Sequence, residues 1–158
     1  MDILSETHKI FLIELLNAKV NFMLIGGYAV NFHGYPRYTS DMDIWLQPDD
    51  VNKQVFISFL SLKKFSDKGI QQILNIDFTL PNAFHIGKGE TRIDFLTAIS
   101  GTSFESAFEQ KVLLPLGNLQ IPVINFEHLI KNKKTSNRLK DLADVEELQK
   151  INQFRNKS

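Results

Sequence analysis

An apolar strand interrupted by two acids constrains this chain more tightly than any bulk property. Residues 26–46 read GGYAVNFHGYPRYTSDMDIWL, and Asp41 and Asp43 flank a methionine just before Ile44-Trp45-Leu46. Side chains alternate faces along a strand, so the two carboxylates share one face, roughly 6.5–7 Å apart, while Met42 and Ile44 point to the other face and a core. Like charges on one face repel, and partial burial raises at least one of the two pKa values. A divalent cation removes that cost: a hard ion such as Mg²⁺ takes carboxylate oxygens and keeps positions open for phosphate oxygens. Two such ions about 3.5–4 Å apart can activate an attacking oxygen and stabilise a leaving one.

The residues before the acids suit the same chemistry. VNFMLI (20–25) reads as a short buried strand running into Gly26 and Gly27, and YAVNFH (28–33) as one or two helical turns stopped by Gly34 and Pro36. Lacking a Cβ, the glycine pair lets the backbone come close to a ligand. The amides that open the following helix then point at an anion resting there. A third carboxylate inside another apolar strand would complete a metal site. Asp94 in RIDFL is the strong candidate; Asp77 in NIDFTL lies next to a loop and Pro81 and is the weaker one.

The rest of the chain supplies a frame. Ser5 can cap a helix over 5–19, and Pro48-Asp49-Asp50 turns into a helix near 50–63, with a short helix over 67–75. Residues 83–87 and 91–99 flank GKGE as an antiparallel hairpin. VLLPL and LQIPVI form a second hairpin around Gly117-Asn118, pushed toward a sheet edge by its prolines. Asn125 can cap a helix beginning FEHLIK, and residues 138–152 form a last one. The expected class is α/β (or α+β): a mixed β-sheet flanked by helices, with a C-terminal hairpin and helices. A length of 158 residues fits one domain, with a core over about 1–100 and an extension over about 101–158.

Composition narrows the class further. Basic and acidic residues balance at 18 each, so the chain lacks the net basic character that marks a broad nucleic-acid footprint. The absence of cysteine removes disulfides and thiolate metal sites. MDILSETHKIF has neither the basic start nor the apolar run of a signal peptide, and no apolar segment approaches the roughly 20 residues of a membrane span. A soluble, cytoplasmic protein with no membrane partner is expected.

Two glycines, a short helix, Asp-x-Asp on the next strand and a lone aspartate on a later one together resemble the nucleotidyltransferase (DNA polymerase β-like) superfamily. GGYAVNFHGYPRYTSDMDIW is most similar to a minimal bacterial group with Gly-Gly-x-Ala, His-Gly and Arg-x-Thr-x-Asp-x-Asp. That group includes abortive-infection type toxins and lincosamide-nucleotidyltransferase-like proteins. LIKNKKTSNRLKDLADVEEL is similar to the Lys-rich, Arg-x-Lys-Asp-x-x-Asp tail of such proteins. The matching segments cover residues 22–46, 91–96 and 129–148.

The resemblance implies a nucleotidyltransferase fold in which Gly26 and Gly27 hold a triphosphate. Asp41, Asp43 and Asp94 would hold two Mg²⁺ ions, and Asp94 would act as, or assist, the base on an acceptor hydroxyl. Arg37, Thr39 and Ser40 match the stretch before the aspartates, where the Arg37 fork can neutralise phosphate charge. The run KNKKTSNRLK (131–140) has five basic residues and no acid. Lys134, Arg138 and Lys140 are the candidates in it for contact with the triphosphate or an RNA backbone.

Each feature also has a plain structural reading. The glycines could form a tight turn, Asp41 and Asp43 a strand cap and a solvated edge residue, and Asp94 a partner for Arg92. Arg37 could be solvated, and the basic run a solvated helix end. Asp141 and Asp144 could serve only to order the last helix through neighbouring basic groups. His33 suits a structural role closing its helix; Tyr28 and Tyr38 suit packing or the rim of a site, where either could stack on a base.

The leading functional expectation is Mg²⁺-dependent transfer of a nucleoside monophosphate from a nucleoside triphosphate to a hydroxyl, with release of pyrophosphate. The acceptor could be a tRNA end, a protein or a small molecule. The alternative is a non-catalytic nucleotide- or partner-binding module of a toxin–antitoxin type pair, joined to an antitoxin or to a second copy. A metal-dependent nuclease is a third reading, in which the glycine pair has no job.

Overall fold

The computed structural model describes residues 3–157. Helix α1 (Glu6–Asn17) starts where Ser5 accepts a hydrogen bond from the His8 amide, and it buries His8, Phe11, Leu12 and Leu15. These positions, spaced three and four apart, form one stripe. Strand β1 (Phe22–Ile25) is buried throughout and runs directly into α2 (Gly26–Phe32). The sequence predicts the helical turns only from Tyr28; the glycine pair is instead their first turn.

Strand β2 (Met42–Leu46) leads through the Asp49 cap into α3 (Asp50–Leu62), and Ser66 caps α4 (Asp67–Leu74). Strands β3 (Ala83–Ile86) and β4 (Ile93–Leu96) form the predicted antiparallel hairpin. Asp77 accepts hydrogen bonds from the amide and hydroxyl of Thr79, so its carboxylate shapes a turn. A further helix, α5 (Phe104–Glu109), was not expected; six residues are too few to display a helical period. Strands β5 (Val112–Leu116) and β6 (Leu119–Val123) then precede α6 (Phe126–Ser136), capped by Asn125, and α7 (Leu139–Asn156).

The six strands make one mixed sheet in the order β3-β4-β2-β1-β6-β5. Neighbours β2 and β4 run parallel, as do β1 and β6, while β1 and β2 are antiparallel. The second hairpin therefore extends the same sheet that holds the acids. Pro115 lies on the edge strand β5 as expected, whereas Pro122 lies on the interior strand β6, whose pairing with β1 is confined to Leu24 and Val123.

Register assigns the two faces. Ile44 is paired with Leu24 and with Phe95, and Phe95 with Phe84, so these four share a face. Helices α1 and α3 cover it with aromatic rings. Phe56 lies 5.0 Å from Phe95 between ring centroids, and Phe11 lies 5.5 Å from Phe59. On the opposite face Trp45 meets Phe104 of α5 edge-on at 5.2 Å. The N-terminal end of that same face carries the acids. Among the described residues, no helix is long and apolar enough to cross a membrane.

Candidate functional site

Asp43 sits in β2 opposite Ile25, the last residue of β1, and opposite Asp94 across the parallel β2–β4 pair. Asp41 immediately precedes β2. The alternation read from the sequence thus places the aspartates together at one end of the sheet. His85 of β3, paired with Asp94, extends the row to a third strand; nothing in its local sequence marks it. Burial, then the charges of Asp94 and Asp41, push the Asp43 carboxyl up to about 6, while Lys133 and Lys140 pull it down. No hydrogen bond or ion pair from the described residues engages that carboxylate.

Its neighbour explains the first glycine. Gly26 adopts φ +66, and a Cβ there would lie 2.1 Å from Asp43 Oδ2. A Cβ on Gly27 would lie 2.3 Å from Thr39 Oγ1. The pair therefore lets the acid and the Thr39 hydroxyl close onto the first turn of α2. Gly26→Ala should destabilise the fold by more than about 1 kcal/mol, from both the left-handed backbone and the displaced carboxylate. Urea unfolding checks this, and an unchanged midpoint would show that the contact is not tight.

The other acids are already held. Arg92 Nη2 donates to Asp94 Oδ1 at 2.9 Å, and its Nε lies 3.2 Å from both carboxylate oxygens. Ser40 Oγ donates to Asp41 Oδ1 at 3.2 Å, and Thr39 Oγ1 to the Asp41 carbonyl at 3.2 Å. Among the described residues, no three Asp, Glu or His side chains converge as a ready metal cage. The donor set still suits a hard divalent cation: three carboxylates lie at one sheet end, and one is raised by burial and then by its neighbours' charge and accepts no hydrogen bond from the described residues.

A polar pocket of about 170 Å³ adjoins them, lined by Gly27, Arg37, Tyr38, Thr39, Ser40, Asp41, Asp43 and Lys140. Seven of the eleven expected site residues thus meet there: Gly27, Arg37, Thr39, Ser40, Asp41, Asp43 and Lys140. Gly26 stands behind Asp43, Asp94 lies one strand over, and Lys134 is exposed without lining the pocket. A larger cavity of about 660 Å³ lies beyond the other end of β2, among Gln47, Asp49, Phe104 and Phe108, and shares none of these residues.

Arg37 is not solvated. Its Nη2 donates to Asp144 Oδ2 at 3.1 Å and its Nε lies 2.8 Å from Oδ1. Lys133 Nζ lies 2.8 Å from Asp144 and 3.1 Å from Asp141, whose second oxygen accepts from Ser136 at 2.6 Å and Arg138 at 2.7 Å. Lys133, Asp141 and Asp144 are all buried. The tail motif therefore fastens α6 and α7 to the loop carrying Arg37. Arg138, expected at the nucleotide, pairs with Asp141 and keeps most of its side chain exposed.

Lys133 escaped the sequence reading, which favoured exposed Lys134. Helical spacing could have found it, because Leu129 and Ile130 put position 133 on the buried stripe of α6. His33 closes α2 as expected and donates from Nε2 to the Ile124 carbonyl at 2.8 Å. Tyr28 packs inside with its hydroxyl 2.8 Å from His8 Nδ1, whereas Tyr38 stands at the pocket rim.

No protein-family model matches the chain, and no curated protein matches it. Among solved structures it resembles an antigenic nucleotidyltransferase-like protein from Paracoccidioides brasiliensis, with a TM-score of 0.49 and 14% identity. That similarity spans 90% of this chain and 73% of the other.

Proposed function

We propose that this chain is a nucleotidyltransferase of the DNA polymerase β-like kind, moving a nucleoside monophosphate from a nucleoside triphosphate to an acceptor hydroxyl. One observation carries the reading: Asp43 is a half-buried carboxylate raised to about 6, pressed against a glycine-only turn and flanked by two further acids. Holding a raised carboxylate there costs folding stability, and a perturbed carboxylate in a cleft marks a candidate functional site.

Asp41, Asp43 and Asp94 would hold Mg²⁺, which supplies charge neutralisation on the phosphates when bound. Gly26 and Gly27 let Asp43 and the Thr39 hydroxyl close against the helix start, and Thr39, Ser40 and Lys140 line the pocket that phosphate oxygens would enter. Arg37 holds the pocket wall in place through Asp144 and adds positive charge there. Asp94, released from Arg92, would take the acceptor's proton as the acceptor oxygen bonds to the α-phosphorus and pyrophosphate leaves. The work is positioning and electrostatics.

The acceptor classes to test are RNA ends, proteins and small molecules, and the proposed setting is the cytoplasm. Lys134, exposed on α6, is available to an anionic acceptor. The second reading, a non-catalytic nucleotide- or partner-binding module serving an antitoxin or a second copy, rests on one observation. Asp94 is already neutralised by Arg92, as in a site that binds without turning over.

Incubation with each of four α-labelled triphosphates, Mg²⁺ and lysate separates the two. Label should enter one of the RNA, protein or metabolite pools above an Asp41→Asn/Asp43→Asn blank. Nucleotide binding with no label in any pool would favour the module. Shortening of RNA with Mg²⁺ alone would favour a nuclease.

A further inference from the structure

The pocket beside the aspartates is too small for a whole nucleotide. Its volume of about 170 Å³ falls below the roughly 300–1,000 Å³ of ligand pockets. Apart from Gly27 and the aromatic Tyr38, every residue lining it carries a charged or hydroxyl side chain. A triphosphate can enter such a space, but the base attached to it must rest outside, at the mouth.

We propose that Tyr38 is the platform on which the nucleobase stacks; this deepens the nucleotidyltransferase reading and rests on it. The ring is 81% exposed, so the core makes little use of it. Among the described residues, none of the other exposed large apolar side chains lines this pocket.

The backbone beneath the ring is fixed at several points. Arg37 Nη1 donates to the Tyr38 carbonyl at 3.1 Å, and the Arg37 amide donates to Asn31 Oδ1 at 3.2 Å. Arg37 is itself anchored 2.8 Å from Asp144, a buried carboxylate held by Lys133. On the other side, Thr39 bonds to the Asp41 carbonyl. A free ring on a fixed backbone loses little order when a ligand arrives, which favours binding.

The chemistry sets the specificity. Every base offers a π-face, so a stacking platform accepts all four nucleobases, and alanine substitution removes most of the gain. On this proposal the triphosphate is held by the charged and hydroxyl side chains of the pocket, and the ring serves the base. Recognition is thereby divided: the pocket takes the anion, and Tyr38 takes the base without reading its edge.

Calorimetric titration of the full chain with Mg²⁺ and ATP, GTP, CTP or UTP, alongside Mg²⁺ and inorganic tripolyphosphate, tests this. Tyr38→Ala should weaken all four nucleotides by about tenfold or more while tripolyphosphate binds as before. Tyr38→Phe should restore nucleotide affinity. Equal weakening of nucleotides and tripolyphosphate, or no weakening of either, overturns the proposal. If the unaltered protein binds neither ligand with Mg²⁺, the inference falls together with the transferase reading. If it binds both and Tyr38→Ala changes nothing, the inference falls alone.

Discussion

Asp43→Asn is expected to abolish transfer and, at the same time, to make the protein more stable at pH 8. Loss of the metal-binding carboxylate removes several kcal/mol of transition-state charge stabilisation, which corresponds to a fall of about a thousandfold or more. The stability gain follows from the acid–base balance. Asp43 titrates at about 6 in the folded chain, raised by burial and by Asp94 and Asp41. An unfolded aspartate titrates near pH ~3.9. Between these values the native state holds more protons than the unfolded one, so ionising Asp43 weakens the fold as pH rises from about 4 to about 6. Above that window the penalty is constant at up to about 3 kcal/mol, from roughly two pKa units at 1.36 kcal/mol each. Asparagine removes the charge and with it the penalty. Added Mg²⁺ should raise the melting temperature of the wild-type chain at pH 8 and leave that of Asp43→Asn nearly unchanged. A mutant less stable than wild type at pH 8 would mean that the carboxylate is structural, and the transferase reading would lose its main support.

The site was legible where local rules govern it. Alternation along a strand was enough to place Asp41 and Asp43 together, because Met42 and Ile44 must reach the core. Caps at Ser5, Asp49, Ser66 and Asn125 are short-range chemistry, and the helices begin there. Partnerships across the chain were not legible in the same way. The sequence offers Asp94 either Arg92 or a cation, and the structure shows it beside Asp43 and bonded to Arg92 at once. Arg37 looks like a solvated loop residue or a phosphate ligand until α7, more than a hundred positions later, brings Asp144 against it. The order of the sheet was equally hidden. Only tertiary packing decides that β6 joins β1 beside the acids, since the two strands share a single residue pair.

Lys133→Met is the second large effect, and it joins the fold to the site. Lys133 lies between Asp141 and Asp144, both about 2% exposed. Its removal leaves two buried carboxylates short of a positive partner, which costs about 3–5 kcal/mol when a buried pair is broken. Arg37 still faces Asp144, and Arg138 and Ser136 still face Asp141, so the loss should fall within that range and not beyond it. Acid sensitivity supplies an independent reading. Burial opposes the charge on Asp141, yet hydrogen bonds from Ser136, Arg138 and Lys133 outweigh it and hold the carboxyl at about 2. The stabilisation is complete above the unfolded value of ~3.9 and is lost as pH falls toward about 2. Without Lys133 the acid-unfolding midpoint should move to higher pH. The double variant Lys133→Met/Asp144→Asn should lose less than the sum of its parts, because each member leaves the other stranded. The site feels the change too: Lys133 helps keep Asp43 ionised, so the pH at which Mg²⁺ begins to protect the fold should rise. Additive losses with an unmoved acid midpoint would show that the buried charges act separately. In that event the tail motif would brace α6 against α7 without setting the charge state of the carboxylate they face.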